Sequence, residues 1–419
     1  MRSLIILRSD GFSKNPGVAR EKLQENNMFT ELKDYGFTGA DFLAANEIIR
    51  EKNQGNYIPA RITESRRERF KCVCEHGEVP AEIKGSFYHN LEEREPFDEK
   101  EAKGQPAQLI EKQAYPVVGD FVVIRYNEHG SSLIDAVLPR RSRFSRADFL
   151  GHAEGYAKNV REQVSAANFD YVFILSSLNY DLNMKRLARY LTASLQSGGF
   201  PVFVLTKADL VDDPNHLANE VRKIAKETPV MCISSKTGYG IEELAPFLEP
   251  AKTAVFLGSS GVGKSSLLNC LAGQKLMEVK EIRDDDSKGR HTTSYRQLFR
   301  LSSGALVIDT PGMRELGLWD SSEGISLAFA EVEELFSQCR FNNCTHETEP
   351  GCAVLAALQD GTLSQEQWKS YLAQRKETSF VLSHSAYLKQ KQEFHKAVAR
   401  YSKARKKRDE YFGESTTPP

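Results

Sequence analysis

One stretch limits the fold of this chain more than any other. Gly258-Ser259-Ser260-Gly261-Val262-Gly263-Lys264-Ser265 fits the phosphate-loop pattern G-x-x-x-x-G-K-[ST]. It follows the apolar run Thr253 to Leu257 and precedes a helical segment near Lys264 to Leu271, the strand-loop-helix setting the pattern requires. Glycines let the backbone curl so that successive N–H groups face phosphate oxygens. Lys264 is expected to neutralise β- and γ-phosphate charge and Ser265 to ligate Mg²⁺, while the following helix turns its positive end to the anion. The phosphate contacts are thereby placed on Gly258, Ser259, Ser260, Gly261, Val262, Gly263, Lys264, Ser265 and Ser266.

Such a loop belongs to a parallel sheet covered by helices, and the neighbouring sequence agrees. Tyr171 to Leu175, Pro201 to Leu205, Val230 to Ile233, Thr253 to Leu257 and Ala305 to Ile308 are continuous apolar runs, as strands buried on both faces require. Helices are expected near Met184 to Gln196, His216 to Glu227 and Gly240 to Leu248. Upstream, the shorter runs Ile58 to Ile62, Phe70 to Cys74, Val117 to Ile124 and Leu133 to Leu138 read as a small β-barrel or sandwich. Cys72 and Cys74 share a strand face and read as core.

Two more motifs close buried strands. Asp309-Thr310-Pro311-Gly312 matches D-x-x-G, in which Asp309 would contact Mg²⁺ and Gly312 would offer its N–H to the γ-phosphate. Thr206-Lys207-Ala208-Asp209 stands where a guanine-binding [NT]-K-x-D motif belongs. Asp209 can accept guanine N1–H and the exocyclic amino group together, a donor pair adenine lacks, and the Lys207 stem would lie along the base. Ser234-Ser235-Lys236, ending the next strand, would meet guanine O6 with backbone donors. The base motifs thus precede the phosphate loop, a rotated order that domains with adjacent termini tolerate.

A Gln after D-x-x-G orients the attacking water in Ras-like enzymes, but Met313 stands there. His291 is the expected water-positioner. Thr292 and Thr293 are placed to reach Mg²⁺ or the γ-phosphate, with Thr293 assigned to the metal beside Ser265 and Asp309.

Cys339, Cys344, His346 and Cys352 supply three thiolates and an imidazole, a closed set suited to one tetrahedral structural Zn²⁺. A length of 419 residues implies about three domains. Lys plus Arg number 56 against 57 Asp plus Glu, so RNA contact depends on segregated charge. Lys389 to Arg408 carries nine basic residues against Glu393 alone, on a long helix expected over Glu377 to Tyr411. In the barrel segment Arg61, Arg66, Arg67, Arg69 and Lys71, then Arg140, Arg141, Arg143 and Arg146, form basic clusters read as candidate RNA contacts. No run approaches the roughly 18 apolar residues of a membrane helix, so a cytoplasmic protein with no membrane contact is expected.

The permuted motif order, the string Gly289-Arg-His-Thr-Thr-Ser294, the strand-rich segment and the Cys/His spacing together resemble the RsgA (YjeQ) family of circularly permuted ribosome small-subunit biogenesis GTPases. The chain is expected to be multidomain: after an extension and lead-in over 1–55, the resemblance implies an OB-like RNA-binding β-barrel over 56–146 and a circularly permuted α/β P-loop GTPase domain over 147–325. A small zinc-binding helical module over 326–376 and a basic C-terminal helix and tail over 377–419 complete it. It further implies GTP and Mg²⁺ as ligands, and GTP hydrolysis coupled to late maturation of the 30S subunit. The 30S subunit and 16S rRNA would be the partners of a monomer. Two competing readings are a metal-delivery P-loop GTPase, prompted by the Cys/His cluster, and a GTP-liganded RNA-binding protein without significant turnover, prompted by Met313.

Overall fold

The structure, a computed structural model, describes residues 30–52, 55–66, 69–84, 115–153, 156–179, 182–277, 296–309 and 321–380. After the short helices Thr30–Asp34 and Gly39–Arg50, strands β1 (Tyr57–Arg66), β2 (Arg69–Cys74), β3 (Gly77–Ile83), β4 (Phe121–Arg125) and β5 (Ser132–Val137) follow. Their order is β1-β2-β3-β5-β4, and β4 returns to pair with β1, closing a five-stranded barrel. Strand β3, absent from the sequence reading, buries Val79, Ala81 and Ile83 and exposes Glu78, Pro80 and Glu82. That strict alternation is a half-buried strand disguised by its charges. Cys72 and Cys74 are fully buried, as expected of core residues.

A hairpin of β6 (Arg143–Ala153) and β7 (Tyr156–Ala167) leads out of the barrel. It crosses position 146, where the sequence reading ends the barrel, because its mixed small and charged residues give no apolar run. Beyond it lie β8 (Tyr171–Ser177), β9 (Phe200–Thr206), β10 (Val230–Cys232), β11 (Thr253–Leu257), β12 (Arg296–Arg300) and β13 (Leu306–Asp309). Strands β10-β9-β8-β11-β13 run parallel, and β12 adds antiparallel to β13. Helices Met184–Gln196, Pro214–Ala225 and Lys264–Ala272 cover this sheet. The segment expected as a helix over Gly240 to Leu248 is a 3₁₀ helix, Ile241–Phe247, which carries Pro246 inside. A prolyl ring has no N–H to extend an α-helical ladder.

The far edge of β12 pairs with β1, so among the described residues eleven strands make one sheet that runs from the barrel into the α/β unit. The joint is fixed by Arg61, with no exposed surface at all. Its Nε donates to the Gly119 carbonyl at 3.2 Å, Nη1 to the Tyr35 carbonyl and to Thr253 Oγ1 at 3.1 Å, and Nη2 to the Asn168 carbonyl at 2.6 Å. The guanidinium also lies 4.8 Å from the Phe121 ring centroid. Desolvation lowers its pKa to about 9, which still leaves it charged at neutral pH. Gly119 is required there: its φ is +90°, and a Cβ would sit 2.1 Å from the Ala167 carbonyl oxygen.

Two expected RNA contacts are therefore corrected. Arg61 is a buried joint residue, and Arg140 is spent on the fully buried Asp120, with Nε and Nη2 at 2.7 and 2.6 Å from its carboxylate. Clustering along the chain does not reveal which arginines turn inward. Replacing Arg61 by Met would strand the carbonyls of Tyr35 and Asn168, while Gly119 O keeps its bond from Asn168 Nδ2, and should lower unfolding free energy by about 3 kcal/mol, read as a fall in urea midpoint.

Past β13 the helices Ser322–Ala328, Ala330–Ser337 and Ala353–Asp360 gather with a helix over 365–380 around Cys339, Cys344, His346 and Cys352. This last helix runs through position 376, so the expected helix start at Glu377 falls too late. The basic stretch Lys389 to Arg408 lies outside the described residues. The module docks on the helix Met184–Gln196. Gln196 Oε1 accepts from Gly324 N at 2.6 Å, and Arg189 donates to both Glu377 carboxylate oxygens at 2.5 and 3.0 Å. Among the described residues no helix is long and apolar enough to cross a membrane.

Candidate nucleotide and metal sites

The phosphate loop is shaped by close packing at its entrance. Strand β11 is wholly buried, and at its exit a Cβ on Gly258 would lie 2.7 Å from the Leu175 carbonyl oxygen, which excludes any side chain. Gly261 and Gly263 have φ of +78° and +102°, left-handed values that point successive amides into the loop. Val262 is buried and anchors the loop by its side chain, leaving only its backbone for the ligand. Lys264, at the first helical position, donates Nζ to the carbonyls of Gly258 at 2.7 Å and Ser259 at 2.6 Å. Its ammonium is thus held over the loop, where a phosphate group would fit.

Asp309 ends β13 beside this loop, almost fully buried, and its Oδ1 has no hydrogen-bond partner among the described residues. Burial raises its pKa, and the Lys264 charge works against that rise. An orphaned carboxylate oxygen in such a place costs about 1–3 kcal/mol. A hard divalent cation with oxygen ligands removes that cost, so the site fits Mg²⁺.

The loops expected to recognise the base arrive at the same end of the sheet. Lys207 is left-handed (φ +59°), which turns the chain sharply out of β9 and brings Asp209 onto a short 3₁₀ turn, Ala208–Leu210. Ser234, fully buried, donates Oγ to Asp209 Oδ1 at 2.7 Å and accepts from the amides of Lys236 and Thr237 at 3.3 and 3.2 Å. That network sets the Asp209 carboxylate before any base arrives. Thr206 does something the sequence reading missed: its Oγ1 donates to the Val262 carbonyl at 2.6 Å, tying the base loop to the phosphate loop. Ser265, Ser266 and Ser235 are half-buried around this end, and Lys236 is exposed. The remaining expected site residues, His291, Thr292, Thr293 and Gly312, lie outside the described residues, as does Met313.

The Cys/His cluster is assembled as its composition predicts. Cys339 Sγ stands 3.9 Å from Cys352 Sγ, and His346 Nδ1 stands 3.6 and 3.5 Å from the same two sulfurs. All four ligand atoms, Cys344 included, lie within 4.8 Å of one another. A tetrahedron with Zn–S bonds near 2.3 Å has edges of about 3.7 Å, so the donor set fits zinc without a vacant corner. Sequence reasoning missed its support. The His346 ring stacks on Phe336 at 4.4 Å and 20°, with Trp368 edge-on at 6.0 Å. Between the ligands, the Glu349 carboxylate accepts from the Thr345 hydroxyl and from the amides of Thr345, Glu347 and Thr348, which holds its pKa down at about 2.

The chain is similar to known proteins. The family profile described as RsgA GTPase matches residues 137–319. The small ribosomal subunit biogenesis GTPase RsgA 2 of Listeria monocytogenes serotype 4b (strain F2365) is 39% identical over 350 residues, spanning 83% of this chain and 90% of that protein. The small ribosomal subunit biogenesis GTPase RsgA of Methanosarcina acetivorans is 43% identical over 339 residues, 80% of this chain and 83% of its own. Among solved structures, YjeQ from Thermotoga maritima superposes with a TM-score of 0.52 over 78% of this chain and 99% of its own, at 24% identity, a likeness of fold.

Proposed function

We infer from one premise, that this chain belongs to the RsgA GTPase family, that it binds the 30S ribosomal subunit and couples its hydrolysis of GTP to late small-subunit maturation. The observation that carries this reading is the convergence of Thr206, Asp209 and Ser234 with the Gly258–Lys264 loop at one end of the sheet. Guanine is selected by Asp209, held by Ser234, with Lys207 along the base and the loop Ser234-Ser235-Lys236 at O6. Phosphates are received by the backbone of 258–266 and by Lys264. Ser265, Thr293 and Asp309 would hold Mg²⁺, which when bound neutralises charge between the β- and γ-phosphates. Gly312 and Thr292 would face the γ-phosphate, and His291 would place the attacking water.

The barrel is OB-like, and its exposed Arg69 and Lys71 face outward beside Arg66 as candidate 16S rRNA contacts. The basic stretch Lys389 to Arg408 supplies a second. One structural Zn²⁺ on Cys339, Cys344, His346 and Cys352 folds the C-terminal module. Its four-ligand closure disfavours metal delivery, since a delivery site must exchange its ion. The protein is proposed to act as a cytoplasmic monomer.

The deciding assay is phosphate release with and without purified 30S subunits. Stimulation well above the basal rate is expected, and an unchanged rate would refute the coupling. Asp209→Asn removes a charge-assisted acceptor and should weaken GTP by roughly 10- to 100-fold while favouring xanthosine triphosphate in competition binding. His291→Ala is expected to lose stimulated turnover yet bind GTP normally.

A further inference from the structure

Strand β1 serves the barrel and the α/β part of the sheet at once. Its residues Tyr57–Arg61 pair with β4 and close the barrel, while Glu64 and Ser65 pair with Gln297 and Arg296 of β12. The irregularity in its ladder with β2, between Ile62 and Glu64, lies where the strand passes from one role to the other. On β12, Gln297 stands opposite Glu64 on one side and opposite Asp309 on the other. Glu64, Gln297 and Asp309 therefore form a single in-register row across three strands, and residues so aligned share one face of a sheet.

Other contacts hold β12 from the same side. Arg300 Nη2 donates to Asp34 Oδ2 at 2.7 Å, and its guanidinium lies 5.7 Å from the Tyr35 ring centroid. The Glu64 carboxylate is occupied by Arg66 and by Lys71 at 3.7 Å, so it does not compete for a cation. Without β1, strand β12 would be an open sheet edge, and the last residue of β13 would be backed by a strand with one free side. A metal ligand must be held to about 0.5 Å.

We propose that the barrel, through the row Glu64–Gln297–Asp309, positions the magnesium carboxylate, making Ser65 and Gln297 positioning residues for GTP hydrolysis. The inference rests on Asp309 being the Mg²⁺ ligand, as proposed above. It gives the N-terminal unit a part in the chemistry that does not pass through RNA.

The test uses the full chain with bound GDP and Mn²⁺ as a paramagnetic probe, and reads Mn²⁺ affinity together with GDP affinity in chelator. Ser65→Pro breaks the ladder at the junction, and the milder Gln297→Gly loosens the row in case the proline variant does not fold. Both should weaken Mn²⁺ by roughly 3- to 10-fold and lower kcat in step, with metal-free GDP affinity unchanged. Wild-type Mn²⁺ affinity in the folded variants would overturn the proposal. So would an equal loss of metal-free GDP binding, the mark of general damage. Asp309→Asn is the control: if it leaves Mn²⁺ affinity intact, the assignment of Asp309 fails, and this inference with it. If it weakens Mn²⁺ while the other two do not, the inference alone fails.

Discussion

Replacing Lys264 by alanine is expected to reduce GTP turnover by roughly 10²- to 10³-fold, the usual loss when one preorganised charge is removed from a site of developing negative charge. The structural reason is local. The Lys264 ammonium rests on the Gly258 and Ser259 carbonyls, within the loop that receives the phosphates, and it is the charge that offsets the raised pKa of Asp309. Because those two hydrogen bonds are made to loop carbonyls rather than to a strand or helix of the core, the variant should keep its far-UV dichroism and melting temperature. Phosphate release within threefold of the parent would remove Lys264 from the reaction.

Loss of the metal should have a larger structural effect. Zinc binding is worth about 10 to 16 kcal/mol in small zinc peptides, and the module over 321–380 has a modest core built from Ile325, Phe329, Val332, Val354 and Tyr371. Cys352→Ala, or a strong chelator, is expected to unfold that module and release its docking through Arg189–Glu377 and Gln196–Gly324. Trp368, stacked on Tyr371 at 5.6 Å and edge-on to His346, is the reporter. In a Trp319→Phe background its emission should shift red and its segment become protease-sensitive, while GTP affinity is retained. A Cys352→Ala protein with native emission would show that the module folds by its own packing.

What could be read in the sequence is what chemistry fixes locally. The phosphate loop, the Asp209 and Ser234 loops and the Cys/His spacing each need particular residue types at short range; the structure links Thr206 to Val262 and Ser234 to Asp209, and gathers the four Cys/His ligand atoms within 4.8 Å. The buried parallel strands were legible because burial on both faces leaves continuous apolar runs. Strands β3, β6, β7 and β12 were not, since each mixes charged or small residues with apolar ones and is defined by its partner strand. Arg61 and Arg140 were misread for a related reason: an arginine in a basic cluster looks solvated until carbonyls from distant segments, or a buried Asp120, are seen to surround it. The tie from Thr206 to Val262 and the aromatic wall of Phe336 and Trp368 are likewise tertiary facts.

The Arg61 joint also bears on how the chain is made. Arg61 must wait for Thr253, 192 residues later in the sequence, before its hydrogen-bonding shell is complete. At about 5 to 20 residues per second of synthesis, the first half of the joint stands unfinished for roughly 10 to 40 seconds. During that interval the guanidinium lacks one of its acceptors, Thr253 Oγ1, and the Glu64–Ser65 end of β1 exposes an unpaired strand edge. The nascent barrel is thus the stage most in need of a chaperone, and variants that slow completion of the α/β unit should aggregate through their N-terminal part.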